Sequence, residues 1–205
     1  MLHLETIEPK ALELLRKLQT LPVFERTRLV GGASLALQLG HRKSEDLDLF
    51  GVINAKPEEI LSECYKVSKP DLTRISPKIK SFRLDGVKVD CINYPHTWID
   101  ECKEVEGIRL ASICEIAAMK INALIGRGTK NDFVDLYYIL NELSLPEILD
   151  LYEKKYPDIP CSTALKYLTY FERAESNPMP QMLFDITWEE IKFSIFSEVI
   201  NTNYR

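Results

Sequence analysis

Residues 31–34 read Gly-Gly-Ala-Ser, and residues 42–50 read Arg-Lys-Ser-Glu-Asp-Leu-Asp-Leu-Phe. The glycine pair follows a short apolar strand and opens a helix, whose N-terminus presents backbone N–H groups that bind phosphate oxygens. The second segment alternates as a strand, so Asp46 and Asp48 lie on the same face of a sheet. Paired carboxylates hold divalent cations. The two segments together predict metal-dependent chemistry on a phosphate compound.

Two readings of the aspartate pair remain open. Close carboxylates repel each other unless a cation lies between them, which favours a metal site. A pair of solvent-exposed aspartates at the end of a strand is the alternative. Asp90 adds a third carboxylate inside the apolar strand 87–92, where burial is costly unless the group is paired or bound to a metal. The alternative for Asp90 is a solvated sheet face that it shares with Lys88.

Composition is typical of a soluble globular protein of one domain or two small lobes, with 205 residues, 45% hydrophobic and 28% charged. The charged first ten residues are unlike a secretory signal. No apolar run has the roughly 18 residues of a membrane span. We therefore expect a cytoplasmic protein with no membrane partner. The five cysteines form no C-x-x-C pair, and they give no zinc-ligand spacing with the three histidines.

The net charge of −5 argues against a generally positive surface. Basic residues are nevertheless concentrated between residues 64 and 88, where only Asp71 and Asp85 oppose them: Lys66, Lys69, Arg74, Lys78, Lys80, Arg83 and Lys88. Such a segment is either a local footprint for a polyanion or the solvated edge of a sheet, where lysines discourage strand pairing. The sequence does not separate these two readings.

Apolar periodicity predicts an α+β fold. Strands and helices alternate up to residue 110, with helices at 9–21, 33–39 and 57–65 and strands at 28–30, 46–52, 78–84, 87–93 and 108–110. Asp85-Gly86 between two alternating runs predicts a hairpin. Residues 1–110 should therefore form a small mixed sheet with flanking helices. Residues 111–205 should form a helical region packed on that core, with helices at 112–125, 131–143, 146–155, 162–173 and 187–200.

Lys120 falls inside the apolar stripe of the first of these C-terminal helices. A lysine at such a position either extends its ammonium to the edge of the helix or reaches into a polar cleft, where it can neutralise phosphate charge. Asp132 opens the following helix. It is a candidate for a first-turn carboxylate that interacts with the helix N-terminus, or for the partner that holds Lys120 in place.

These features together resemble the AbiEii/AbiGii family of nucleotidyltransferase-like toxins, within the polymerase-β-type nucleotidyltransferase superfamily. The resemblance covers residues 29–140. It rests on the Gly31-Gly32 pair, on R-x-S-x-D-L-D-L-F at 42–50, on Asp90, and on Lys120 followed by K-N-D-F-x-D-L at 130–136. The resemblance implies a nucleotidyltransferase core with the helical region behind it in the chain.

The resemblance also implies roles for individual residues. Asp46, Asp48 and Asp90 would hold Mg²⁺ or Mn²⁺, and Asp90 would help to deprotonate the acceptor. The catalytic set would further include Lys120 and Asp132 from the helical part. The nucleotide-binding set would comprise Gly31, Gly32, Ser34, Arg42, Ser44 and Lys120.

The implied reaction transfers a nucleoside monophosphate from a nucleoside triphosphate to an acceptor hydroxyl and releases pyrophosphate. The implied setting is a type IV toxin–antitoxin system, with RNA such as transfer RNA as the acceptor and a cognate antitoxin as a partner. Two alternatives stay open. One is a protein of the same fold that has lost turnover and acts by binding. The other is an enzyme that modifies proteins or itself, with Ser44 as a candidate acceptor.

Overall fold

The computed structural model describes residues 1–76 and 78–202. The chain divides into two compact units. The first comprises Met1–His96 and Glu101–Ala111, and the second comprises Thr97–Asp100 and the chain from Ser112 onward. The predicted division at residue 110 therefore lies one residue from the main boundary, but it assigned residues 97–100 to the core.

Strands of the first unit form one mixed sheet. Within the described residues it has seven strands, in the order β3-β4-β5-β2-β1-β7-β6. Their bounds are β1 Thr27–Val30, β2 Leu47–Gly51, β3 Pro70–Ile75, β4 Ile79–Leu84, β5 Val87–Asn93, β6 Lys103–Val105 and β7 Ile108–Leu110. The central strands β2 and β5 run parallel to each other. Strand β1 pairs with β2 in the antiparallel sense, and β4 pairs with β5 in the antiparallel sense. The predicted mixed sheet is confirmed.

Three helices and two short 3-10 turns accompany the sheet. The helices are α1 Pro9–Thr20, α2 Gly31–Leu39 and α3 Pro57–Tyr65, and the turns are Leu4–Thr6 and Pro22–Phe24. A proline at the first position starts both α1 and α3, because its missing N–H has no helical partner there. Gly40 ends α2 in the left-handed conformation, with φ +67°.

The sheet separates an apolar face from a polar face. Leu47 and Leu49 of β2 and Val89 of β5 are fully buried in one cluster with side chains of α1, α2 and α3. The alternate positions, Asp48 and Asp90, lie on the opposite face, since successive strand residues point to opposite sides. The hydrophobic core therefore fixes which face carries the carboxylates.

The β4–β5 hairpin forms as the sequence predicts. Asp85 and Gly86 connect the strands with φ of +52° and +87°. Both residues of a type I′ turn need positive φ, which is why an Asp-Gly pair favours this connection. The hairpin places β5, and with it Asp90, between β4 and β2.

The second unit is helical in its described residues. Its helices are α4 Ile113–Gly126, α5 Lys130–Ile139, α6 Leu145–Lys155, α7 Cys161–Leu168, α8 Glu172–Glu175 and α9 Trp188–Asn201. Ser112, Ser144 and Thr187 cap α4, α6 and α9 by accepting from the backbone N–H three residues on. A membrane-crossing helix is not found among these elements, since each described helix is too short or too polar.

The structure differs from the predicted elements by more than two residues at four places. Helix α5 ends at Ile139, before the predicted end at residue 143. The predicted helix 162–173 is two helices, α7 and α8, separated at Thr169–Phe171. Strands β3 and β6 were not predicted. β3 is an edge strand, exposed at every position after Pro70, so it has no alternating apolar signal. The basic segment thus includes a solvated sheet edge, as one of its two readings proposed.

Candidate active site

The central strands bring two of the predicted carboxylates together. Asp48 of β2 is the direct register partner of Asp90 of β5 in the parallel pair. Register partners on neighbouring strands share a face of the sheet. The structure therefore brings the two aspartates side by side, although 42 positions of sequence separate them.

Asp46 joins this pair through a lysine. It lies just before β2 with its side chain exposed. The Lys88 Nζ lies 3.5 Å from Asp46 Oδ2 and 2.9 Å from Asp90 Oδ2. Lys88 and Asp90 are two residues apart on β5, so they point to the same face. An ammonium therefore occupies the space between Asp46 and Asp90.

The surrounding charges shift the pKa of Lys88. Partial burial alone would lower the pKa of its ammonium, but the hydrogen bond to Asp90 and the charges of Asp90, Asp46 and Asp48 outweigh burial and raise it. Among residues 1–76 and 78–202, no three His, Cys, Asp or Glu side chains form an arrangement that could hold a metal ion as it stands. Metal binding by Asp46, Asp48 and Asp90 stays a prediction.

One carboxylate oxygen of Asp90 has the surroundings expected of a cation ligand. Asp90 Oδ1 is buried and has no hydrogen-bond partner among the described residues. A buried carboxylate oxygen without a partner is costly, so it marks a place where a cation or water belongs. Its chemistry is that of a divalent-cation ligand. The donor set of Asp48 and Asp90 therefore fits a divalent cation.

The glycine turn lies against these groups. Gly31 has φ +66°, and a Cβ on it would lie 2.7 Å from Asp48 Oδ2. A Cβ on Gly32 would collide with Arg42 Nη2. The missing side chains at Gly31 and Gly32 leave room for the Asp48 carboxylate and for the guanidinium of Arg42, a residue that is 4% exposed. The turn therefore places a carboxylate and a cation beside the start of α2.

The start of α2 lacks a side-chain cap. Its N-cap residue is Val30, which cannot accept a hydrogen bond through its side chain. The first N–H groups of a helix have no partner within the helix, and they attract anions when no side chain satisfies them. This terminus is thus suited to phosphate oxygens.

The two predicted serines have different surroundings. Ser44 is half-buried, and its backbone N–H donates to the Thr6 carbonyl at 2.9 Å. Ser34 is fully buried within α2, where Gln38 Nε2 donates to its hydroxyl at 3.2 Å. Nucleotide binding by both stays a prediction, and the position of Ser34 inside the packed helix does not favour it.

Ser81 is a polar neighbour of the cluster that the sequence did not reveal. It is the register partner of Asp90 on β4, and so it lies on the same face of the sheet. Its side chain is buried. A serine within an apolar strand is unremarkable in the sequence, and only the pairing of β4 with β5 places its hydroxyl beside the carboxylates.

The second unit contains a buried charge cluster around Lys120. Lys120 Nζ lies 3.1 Å from Asp132 Oδ1 and 2.5 Å from Asp135 Oδ2. Arg127 and Thr129 complete the surroundings of Asp132, with Arg127 Nη2 donating at 2.8 Å and Thr129 Oγ1 at 2.7 Å. Asp132 therefore fulfils both of its predicted structural roles, as a first-turn carboxylate and as the partner of Lys120.

Asp132 keeps its charge despite burial. Burial would raise the pKa of Asp132, but Lys120 and Arg127 outweigh that effect and hold the pKa well below its usual range. Asp135 belongs to the same K-N-D-F-x-D-L segment and was not singled out from the sequence. Its spacing of three residues from Asp132 on a helix was the available signal, because such residues lie on one face. Catalytic roles for Lys120 and Asp132 stay predictions.

Comparisons with known proteins find a family and a relative that this chain resembles. The family described as "Nucleotidyl transferase AbiEii toxin, Type IV TA system" matches residues 13–89, which include the glycine turn and the strand of Asp48. An uncharacterised protein of Aquifex aeolicus (strain VF5) is 32% identical over 187 residues, covering 88% of this chain and 89% of that protein.

Two solved structures resemble the fold. The nucleotidyltransferase toxin MenT4 of Mycobacterium tuberculosis H37Rv has a TM-score of 0.58 at 16% identity, with 95% of this chain and 83% of that chain covered. The protein JHP933 of Helicobacter pylori has a TM-score of 0.52 at 18% identity, with coverages of 95% and 92%. At these identities the likeness shows a shared fold.

Proposed function

We propose, from the premise that this chain belongs to the AbiEii family of nucleotidyltransferase toxins, that it transfers a nucleoside monophosphate from a nucleoside triphosphate to an acceptor hydroxyl. Family membership makes the chain a transferase. The observation that carries the finer proposal is the register pairing of Asp48 with Asp90, with the uncapped start of α2 packed against Asp48.

In the first unit, positively polarised groups would bind the triphosphate and carboxylates would bind the metal ion. The N–H groups at the start of α2 and the Arg42 guanidinium would bind triphosphate oxygens. Asp48 and Asp90, with Asp46 beside them, would hold Mg²⁺ or Mn²⁺. A divalent cation bound there supplies charge neutralisation at the reacting phosphate. Asp90 would also accept the proton of the attacking hydroxyl.

Positioning and electrostatics would supply most of the rate acceleration, as in phosphoryl transfer generally. The apolar face of the sheet makes this arrangement rigid, because Leu47 and Leu49 alternate with Asp48 and are fully buried. A strand anchored in this way cannot shift its register without burying a carboxylate. We therefore place catalysis at the polar face of β2 and β5.

The acceptor is proposed to be RNA, with transfer RNA as the first candidate. The description of the matching family names a toxin of a type IV toxin–antitoxin system, and on that ground a cognate antitoxin is proposed as the protein partner. The local basic segment of residues 64–88 is compatible with an RNA contact.

Labelling with each of the four α-³²P nucleoside triphosphates tests the proposal. The full chain is incubated with Mg²⁺ and either total transfer RNA or total protein, and label in each fraction is counted. We expect label in RNA with the wild type. Asp48→Asn should reduce transfer by at least about a hundredfold, as expected when a principal electrostatic group is removed.

Asp71→Asn is the matched control, since Asp71 is an exposed aspartate on the edge strand of the same sheet. It should transfer at the wild-type rate. Full transfer by Asp48→Asn would refute the assigned site. Label in protein, or an increase in the intact mass of the enzyme itself, would show that the acceptor is a protein and not RNA. No transfer with any nucleotide would favour a binding protein.

A further inference from the structure

Lys88 is not accounted for by the proposed reaction. In the sequence Lys88 is the last basic residue of segment 64–88 and lies two positions before Asp90. In the structure its ammonium lies 2.9 Å from Asp90 Oδ2 and 3.5 Å from Asp46 Oδ2, and the side chain is 36% exposed. Its ammonium therefore contacts two of the three carboxylates, and it lies on the same strand as one of them.

Backbone geometry makes this position a fixed one. Leu47 pairs with Val89, so the residue before Leu47 lies next to the residue before Val89. Asp46 and Lys88 are therefore neighbours across β2 and β5, just as Asp48 and Asp90 are neighbours one step further along. Lys88 and Asp90 are both held by the ladder that fixes Val89 in the core. The ammonium reaches the carboxylates without any change in the backbone.

The charge balance requires a cation at this position. Three carboxylates within one face of two adjacent strands repel one another when all are ionised. An ammonium between two of them relieves that repulsion while no other cation is bound. A divalent cation that binds Asp90 must then compete with the ammonium or move it.

We propose that Lys88 is an internal counter-cation of the carboxylate site, which holds Asp46 and Asp90 in place before a divalent cation binds and which weakens the binding of that cation. This inference rests on the proposed function, because it concerns the same carboxylates. Lys88 is a positioning residue in this account. Its effect is measured on metal affinity in the absence of nucleotide, apart from any transfer.

Manganese titration of the full chain tests the inference. Mn²⁺ binding is followed by electron paramagnetic resonance, without nucleotide, for the wild type, Lys88→Met and Lys88→Arg. Methionine keeps an unbranched side chain that is one atom shorter, and it removes the charge. We expect Lys88→Met to bind Mn²⁺ roughly tenfold more tightly, because a unit charge close to the ligands has been removed. Lys88→Arg should stay within about twofold of the wild type, since its charge is kept.

Two controls separate this effect from general charge. Lys17→Met removes an ammonium that pairs with Glu13 on α1, and it should leave Mn²⁺ affinity unchanged. In an Asp90→Asn background, Lys88→Met should give a smaller gain, because one of the carboxylates that Lys88 neutralises has been removed. Added salt should also reduce the gain, since Lys88 is partly exposed.

Thermal unfolding gives a second readout. Without metal, Lys88→Met should melt at a lower temperature than the wild type, and Mn²⁺ should raise its melting temperature more than that of the wild type. Equal or weaker Mn²⁺ binding by Lys88→Met overturns the inference. So does the absence of Mn²⁺ binding to both proteins at millimolar concentration. The proposed reaction is judged separately, by nucleotide labelling of the wild type.

Discussion

Gly31 shows which properties of a residue can be predicted from its neighbours in the sequence and which depend on tertiary contacts. Gly31 needs glycine for two separate reasons, a positive φ and the approach of Asp48. The sequence indicates only that a glycine pair opens a helix. The contact with Asp48 depends on the pairing of β1 with β2, in which Val30 and Asp48 are register partners.

Gly31→Ala should therefore impair both stability and transfer. The strained backbone should cost about 1–2 kcal/mol of unfolding free energy, and the displaced carboxylate should reduce transfer further than this loss explains. Gly86→Ala is the matched control, because Gly86 also has positive φ but nothing lies within 4 Å of its would-be Cβ. Urea unfolding and labelling are compared for both variants. Equal transfer by the two at equal stability would contradict the role of the Asp48 contact.

Asp132 gives a pH-dependent prediction. Its pKa is lowered in the folded state, and it returns to about 3.9 on unfolding. Its contribution to stability is therefore fully present above about pH 5 and is lost as pH falls below the unfolded value. Asp132→Asn should cost about 2–4 kcal/mol at pH 7, because Lys120 loses one of its buried partners.

Urea unfolding of the wild type and of Asp132→Asn between about pH 5 and pH 2 measures this effect. The wild type should lose stability more steeply, so the two curves should approach each other as the pH falls. Parallel curves across that range would contradict the assigned shift. Asp71→Asn, an exposed position, should follow the wild type.

Elements form where a strong local signal coincides with burial. Helix α3 begins and ends where the sequence predicts, because a proline starts it and its apolar positions face the core. Strands β3 and β6 carry no such signal, and they exist because β4 and β7 provide backbone partners. Local patterns therefore predict central elements better than edge elements.

The β4–β5 turn allows a test at this scale. Asp85→Asn should leave stability unchanged, because asparagine tolerates positive φ and keeps an oxygen for the Ser68 hydroxyl, which donates to Asp85 at 2.7 Å. Asp85→Val should cost about 1–2 kcal/mol, since a β-branched residue at positive φ is strained. Thermal unfolding of the two variants measures the difference. Equal melting temperatures would show that the positive φ at Asp85 does not contribute to the stability of the fold.

At the scale of the whole molecule, a buried ion pair within the helical unit contacts a segment that lies elsewhere in the chain. Lys155 of α6 pairs with Glu115 of α4, and both side chains are fully buried. Lys155 Nζ also donates to the Thr97 carbonyl at 2.9 Å, and the Ile99 N–H donates to Glu115 at 2.6 Å. This pair therefore ties residues 97–100 to the helical unit, although they lie between strands of the other unit in the chain.

Lys155→Met should destabilise the helical unit by about 3–5 kcal/mol, because Glu115 would be left charged and unpaired in the core. The double variant Lys155→Met with Glu115→Gln should recover part of that loss. Circular dichroism during urea unfolding measures both. Lys17→Met, at an exposed surface pair, should change stability by less than about 0.5 kcal/mol. No recovery in the double variant would contradict the role of the unpaired charge.

By itself the sequence determined the fold class and the strands that carry the aspartates, because alternation, turn residues and helix starts are local properties. The family followed from the resemblance of its motifs. The sequence also indicated Asp46, Asp48 and Asp90 as one set. Only the tertiary structure decided that Asp48 and Asp90 are neighbours, that Lys88 lies between Asp46 and Asp90, and that Lys120 pairs with Asp132 and Asp135. The physical reason is that strand pairing and charge pairing join residues distant in the chain, and their partners are chosen by burial of the whole core.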